Sequence, residues 1–265
     1  MTDLSLPPLL TSRPVVPPQD PFASALEALR MDATEAGDLF WSVRDDRLDY
    51  ALVLAPEVGP QQARHMIFVA MVAAADALGA IAPPELAITW DWPLGLFANR
   101  GRVGKVRLAM SETLDGDGAP EWLVLGQSLA LKPESVRSAE DTDPGLRPEI
   151  TSLWDEGAVD LETAPLLESL SRHFLTWLNR WEGEGLRALM DAWLFRCDLY
   201  RKPVRFETED GVVEGTMLGL DDGGNLIVET AEGTRMVALD VALTREDAAA
   251  AWPAVAPSTG PHEVA

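Results

Sequence analysis

The stretch Tyr50-Ala51-Leu52-Val53-Leu54 is apolar at every position, so neither face of the strand it forms can be left in water. Such a strand sits centrally in a sheet and needs a layer of structure on each side. The residues that follow meet half of that need. Gly59-Pro60 opens a helix running to about Leu78, rich in Ala, Met and Val and poor in charge, which predicts a helix lying deep against the sheet. Gly79 can cap its C-terminus. With 265 residues, 47% of them hydrophobic, the chain can build one large domain, or a domain with a small companion.

The remaining segments fill out this plan. Residues 1–19 are proline-rich and aperiodic, and read as an extended arm docked through Leu9, Leu10 and Val15. Asp20-Pro21 caps and starts a helix with Phe22, Leu26 and Leu29 on one face. Asp38–Arg44 and Leu48–Ala55 form a hairpin through the polar turn Arg44-Asp45-Asp46-Arg47. A second hairpin spans Leu86–Met110, and Trp122–Leu131 is the next strand. Lys132–Ile150 is a long polar surface loop. Helices are expected from about Pro165 to Trp181 and from Leu186 to about Asp198. After Arg201-Lys202-Pro203, four short strands with Gly/Asp turns predict a small β-barrel of the SH3-like kind over residues 201–245, and 246–265 read as a tail.

A net charge of −22 argues against nucleic-acid or anionic-membrane partners, which require basic patches. The apolar run Met66–Pro84 is short for a clean membrane span and contains Asp76. No secretory signal opens the chain, and the single cysteine, Cys197, excludes an intrachain disulfide, so a reduced thiol in the cytoplasm is expected. His65, His173 and His262 lack metal-ligand spacing, and no Walker-type phosphate loop is present, so no metal site is expected.

Against this acidic background the hairpin Thr89–Leu108 reverses sign. Its turn, Asn99-Arg100-Gly101, tolerates positive φ, and Arg100, Arg102 and Lys105 crowd one ribbon, a candidate anion site. Arg102 can hold a carboxylate and a phosphate bidentately. Lys105, three residues further on, faces the opposite side of the sheet unless a bulge intervenes. Trp90 and Trp92 share a face, and either stack on a ligand ring or pack in the core.

The order of elements, with Trp92-Pro93, the Asn99-Arg100-Gly101 turn and the return strand Arg102-Val103-Gly104-Lys105-Val106-Arg107-Leu108, resembles the biotin–protein ligase family of the biotin/lipoate ligase fold. Gly219-Leu220-Asp221-Asp222-Gly223-Gly224-Asn225-Leu226 is similar to a turn in that family's small C-terminal domain. The resemblance implies an α+β fold, with a mixed sheet flanked by helices over 20–200 and then the SH3-like barrel. It also implies ATP-dependent activation of a biotin- or lipoate-type acid, with Mg, and transfer to a lysine of a carrier-domain protein. Arg102 takes the position of the family's catalytic lysine, with Lys105 beside it. Arg44 and Arg47 stand where the adenylate loop belongs, and Trp90, Trp92, Arg100 and Gly104 complete the implied binding set. The sequence also departs from the family. The glycines of the adenylate loop are replaced by Asp45-Asp46, Trp-Pro-Asn-Asp becomes Trp92-Pro93-Leu94-Gly95, and Gly-x-Gly-x-Asn becomes Gly126-Gln127-Ser128-Leu129-Ala130. Two readings stay open: a divergent ligase, or a non-catalytic relative that binds a small acid, a nucleotide or a carrier protein. A homodimer is compatible with either.

Overall fold

The computed structural model describes residues 4–136, 150–208 and 211–248. Most of the loop expected at 132–150, and the tail beyond 248, lie outside the described residues. Strand β1 (Thr11–Val15) is followed by helix α1 (Pro21–Arg30), β2 (Asp38–Ser42), β3 (Arg47–Leu54), α2 (Pro60–Ala63) and α3 (Met66–Ile81). Then come β4 (Ile88–Trp90), β5 (Gly95–Ala98), β6 (Gly101–Met110) and β7 (Leu123–Ala130). Two further helices, α4 (Thr163–Glu184) and α5 (Arg187–Arg196), precede β8 (Pro203–Thr208), β9 (Gly211–Leu220), β10 (Leu226–Thr230), β11 (Gly233–Val237) and α6 (Leu239–Ala248).

The first seven strands form one mixed sheet in the order β1-β2-β3-β7-β6-β5-β4, with β1 parallel to β2 and the other pairs antiparallel. β3 lies inside the sheet, and its neighbours Leu52 and Val53 are both buried, one in each of two separate apolar clusters. On one face Phe22 and Ala25 of α1 pack with Phe40, Ala51, Val53 and Val124. On the other, α3 lies against β4, β6 and β7 under α4 and α5. Helices therefore flank both faces. The arm contributes more than docking: Thr11–Val15 is an edge strand, and Arg13 on it pairs with the buried Asp38 at 2.9 Å.

Twelve of the sixteen residues of α3 are buried. Burying a large apolar side chain completely contributes ~1.5–3 kcal/mol, so this helix is a main anchor of the core. Pro60–Ile81 has the length and hydropathy of a membrane span, but here it is packed inside the protein. Asp76, its internal charge, accepts a hydrogen bond from the Trp177 indole at 2.8 Å and pairs with Arg196 at 3.1 Å. The single helix expected over Gly59–Leu78 is broken at Arg64-His65, where His65 N bonds Gln62 O and Ile67 N bonds Arg64 O in tighter three-residue turns.

The C-terminal unit is an antiparallel meander in the order β11-β10-β9-β8. It is joined to the first by specific contacts. Trp92 donates its indole N–H to Gly224 O at 3.1 Å and meets Phe206 edge-on at 5.4 Å. Gly224, at φ 79°, lies so close to Phe68 of α3 that a β-carbon there would clash. After β11 the chain turns into α6 at Leu239, whose N–H is held by Asn225 Oδ1 at 2.9 Å.

His65 sits at this junction, 3% exposed, and its Nδ1 accepts from the Trp181 indole at 3.1 Å. Burial lowers its pKa from the ordinary 6.5 to about 4, with Asp221 and Asp222 opposing the shift. As pH falls from 6.5 to 4, the unfolded chain takes up a proton at His65 that the folded chain does not. The stability from the neutral ring is thus complete above 6.5 and lost on the way down to 4, a loss of roughly 3 kcal/mol. Urea unfolding at pH 7 and pH 4.5 will show a smaller pH-dependent loss for His65→Gln than for the parent.

Candidate active site

The register between β5 and β6 builds the site. Gly95 faces Lys105, Leu96 faces Gly104 and Phe97 faces Arg102, so Val103 is an extra residue without a partner on β5. This bulge shifts the alternation by one. Val103, Val106 and Leu108 all join the core on the α3 side, and Arg102 and Lys105 turn together to the opposite face. Arg107 follows on that face, where it pairs with Asp20 at 2.6 Å and lies over the Phe22 ring at 4.1 Å. β6 thus carries three cations in line on the α1 side of the sheet.

The next strands add polar groups to the same row. Ser128 on β7 stands between Lys105 on β6 and Asp49 on β3. Lys105 and Ser128 are only 7% and 6% exposed. Arg47, two residues from Asp49 and on the same face, pairs with it at 2.8 Å. Burial raises the Asp49 pKa, while Arg47 and the Ser128 hydroxyl draw it back. Ser128 and Asp49 were not among the residues singled out from the sequence. The alternation Arg47-Leu48-Asp49-Tyr50 was the available signal: it marks one polar half-face at the start of an otherwise apolar strand.

The other expected residues fall elsewhere. Arg44 lies in the turn between β2 and β3 and is gripped through two hydrogen bonds by Asp46. The Asp46 carbonyl accepts from the backbone N–H groups of Leu131 and Lys132 at 2.9 and 2.8 Å, and Lys132 pairs with Asp45 at 2.8 Å. Four residues thus connect the two strands. Arg100 is at the exposed tip of the β5–β6 turn; Asn99 is at φ 48°, as its residue type allows, but the second positive φ, 78°, falls on Arg100 and not on Gly101.

Three residues leave the binding set. Trp90 is fully buried, stacks on Trp193 and donates its indole N–H to the Trp193 carbonyl at 2.9 Å. Trp92 is spent on the junction with Gly224 and Phe206. Gly104 pairs with Leu96 and Leu129 on the α3 side, where a β-carbon would overlap the Ser128 carbonyl oxygen. Its glycine is required by the close approach of β6 to β7 at the bulge, not by a ligand.

The sequence matches the Biotin/lipoate A/B protein ligase family over residues 6–195 and the biotin protein ligase C-terminal domain over 202–239. The chain belongs to the biotin/lipoate A/B protein ligase family. A biotin–[acetyl-CoA-carboxylase] ligase of Paracoccus denitrificans is 30% identical over 188 residues, covering 70% of this chain and 75% of that protein. A biotin protein ligase-like protein of unknown function from a Silicibacter species is 35% identical, with a TM-score of 0.76 over 89% of this chain and 97% of its own. A biotin protein ligase variant from Aquifex aeolicus, solved in complex with biotin, has a TM-score of 0.70 over 88% and 97% of the two chains at 15% identity, a likeness of fold alone. The family assignment covers both units of the fold.

Gly104→Ala drives a methyl group into the Ser128 backbone, and β6 and β7 must part to admit it. A loss of ~2–4 kcal/mol is expected by denaturant titration, against under ~1 kcal/mol for Gly116→Ala, which has open space around it.

Proposed function

We propose that this protein is a divergent acid-activating ligase, using ATP and a biotin- or lipoate-type carboxylic acid and passing the acyl group to a carrier-protein lysine. The observation that carries the proposal is the bulge at Val103, which puts Arg102 and Lys105 side by side on one face. Joining a carboxylate to an α-phosphate brings two anions together, and cations fixed beforehand lower that barrier most. In this reading Arg102 spans the carboxylate and the phosphate while Lys105 neutralises the developing charge. One carboxylate oxygen bonds to the α-phosphorus as pyrophosphate leaves. The acceptor amine then attacks the acyl carbon, loses a proton and releases AMP. Any Mg²⁺ would travel with the nucleotide phosphates, because the described residues hold no group of three or more His, Cys, Asp or Glu able to bind a metal. The reduced, buried Cys197, pushed up to about 12 by burial, fits a cytoplasmic setting.

A second reading has its own support. The Arg44–Asp46 and Arg47–Asp49 pairs and the four-residue turn give a nucleotide phosphate less free charge and less cover than an adenylate requires. That favours a relative which binds the acid and does not activate it.

The two part in one experiment. ATP–pyrophosphate exchange is followed with biotin, lipoate and octanoate, alongside calorimetry with each acid. The ligase reading expects acid-dependent exchange, reduced about a hundredfold in Arg102→Ala. Binding without exchange selects the second reading, and neither binding nor exchange with any acid overturns both. If exchange is present and unchanged in Arg102→Ala, the assignment of Arg102 fails.

A further inference from the structure

The row across β6, β7 and β3 holds one group that acid activation leaves unused. Lys105, Ser128 and Asp49 are direct cross-strand partners, so their side chains leave the sheet side by side on one face. The residues around them fix which face. Ala51, Val53 and Val124, of the same alternation, pack with α1, while Leu48, Tyr50 and Leu129 belong to the core on the α3 side. Asp49 is open enough to be reached: its side chain is 17% exposed, against 9% for its partner Arg47. Two other carboxylates near this face stand off the row, Asp20 on Arg107 at 2.6 Å and Asp46 on Arg44.

The spacing suits a reaction between two bound groups. Adjacent strands lie about 4.8 Å apart, which puts the Lys105 and Asp49 backbones roughly 10 Å from each other with Ser128 midway. An acyl oxygen held by a cation, the acyl carbon, an attacking nitrogen and the hydrogen bond from that nitrogen to a carboxylate span about 8 Å. The row can therefore hold an acyl group at its Lys105 end and a nucleophile at its Asp49 end. The electrostatics suit a proton transfer there. Burial raises the Asp49 pKa and Asp20 adds to the rise, while Arg47, the Ser128 hydroxyl and Arg44 oppose it. A carboxylate of raised basicity is a better proton acceptor, and cations such as Arg102 and Lys105 ease the loss of a proton from an ammonium ion beside them.

We propose that Asp49 is the base of the transfer step, taking the proton from the lysine amine of the acceptor. This rests on acid activation as proposed above. The lysine arrives as an ammonium ion over Ser128 and gives one proton to Asp49. The freed lone pair forms a bond to the acyl carbon. The bond from that carbon to the AMP oxygen breaks, and its electron pair leaves with the phosphate. The nitrogen loses its second proton to water, and Asp49 then releases the first.

Asp49→Asn keeps the shape of the side chain and removes the base. Three reactions are followed on the full chain, with whichever of biotin, lipoate and octanoate supports exchange. They are ATP–pyrophosphate exchange, acyl transfer to Nα-acetyl-L-lysine methylamide, and acyl transfer to hydroxylamine, an acceptor already neutral at pH 7. Asp49→Asn is expected to leave exchange and hydroxamate formation within about twofold of the parent and to lower transfer to the lysine amine about a hundredfold. Equal losses in all three reactions mean that Asp49 only holds the site together, and overturn the proposal. Exchange in the parent with lysine transfer unaltered in Asp49→Asn removes the base alone. No exchange in the parent with any acid overturns activation, and the base with it.

Discussion

The fold depends on a helix with no polar face. α3 is apolar around almost its whole circumference, so it must be enclosed: sheet beneath it, α4 and α5 above it, and the Asp221–Asn225 turn of the C-terminal unit against its start. This enclosure fixes which face of the sheet is dry. The α3 face takes the large apolar residues of β3, β6 and β7, and the opposite face, only partly covered by α1, is left for charge.

On that second face almost every charge is paired locally. Arg107 has Asp20, Arg47 has Asp49, and Arg44 has Asp46. These pairs cancel most of the positive charge that the three arginines bring. The pairing also separates two kinds of local order. The β6 row is arranged by backbone register, while the β2–β3 turn is arranged by its own carboxylates. A register persists as long as the sheet does. A set of ion pairs has to be broken before either partner can meet another charge.

Much of this was legible from residues alone. The two-faced burial of Leu52 and Val53, the deep helix after Gly59, the turn at Asn99-Arg100-Gly101 and the four-stranded C-terminal unit all follow from hydrophobic period and turn chemistry. What was not legible depends on pairing partners. A one-residue bulge leaves no mark in local propensity, yet it decides whether Lys105 joins Arg102 or opposes it. Trp90 and Trp92 look alike in sequence, and only the packing shows that one stacks on Trp193 while the other ties two units together. The edge strand Thr11–Val15 was hidden by the prolines of the arm and is attached by parallel pairing to β2, with Arg13 on the buried Asp38. At the break at Arg64-His65 the His65 ring meets Trp181, a partner more than a hundred residues away that no local pattern announces.

The hydrogen bond from the Trp92 indole to Gly224 has a consequence for how such chains can be recombined. It joins a hairpin of the first unit to a tight turn of the second, and Phe206 and Phe68 close around the same point. The two family segments meet end to end in the sequence but are not interchangeable parts. A C-terminal unit grafted from a relative would have to bring a free carbonyl and a glycine to this one spot. Exchange between family members is therefore constrained at a seam 132 residues wide in sequence and one indole wide in space.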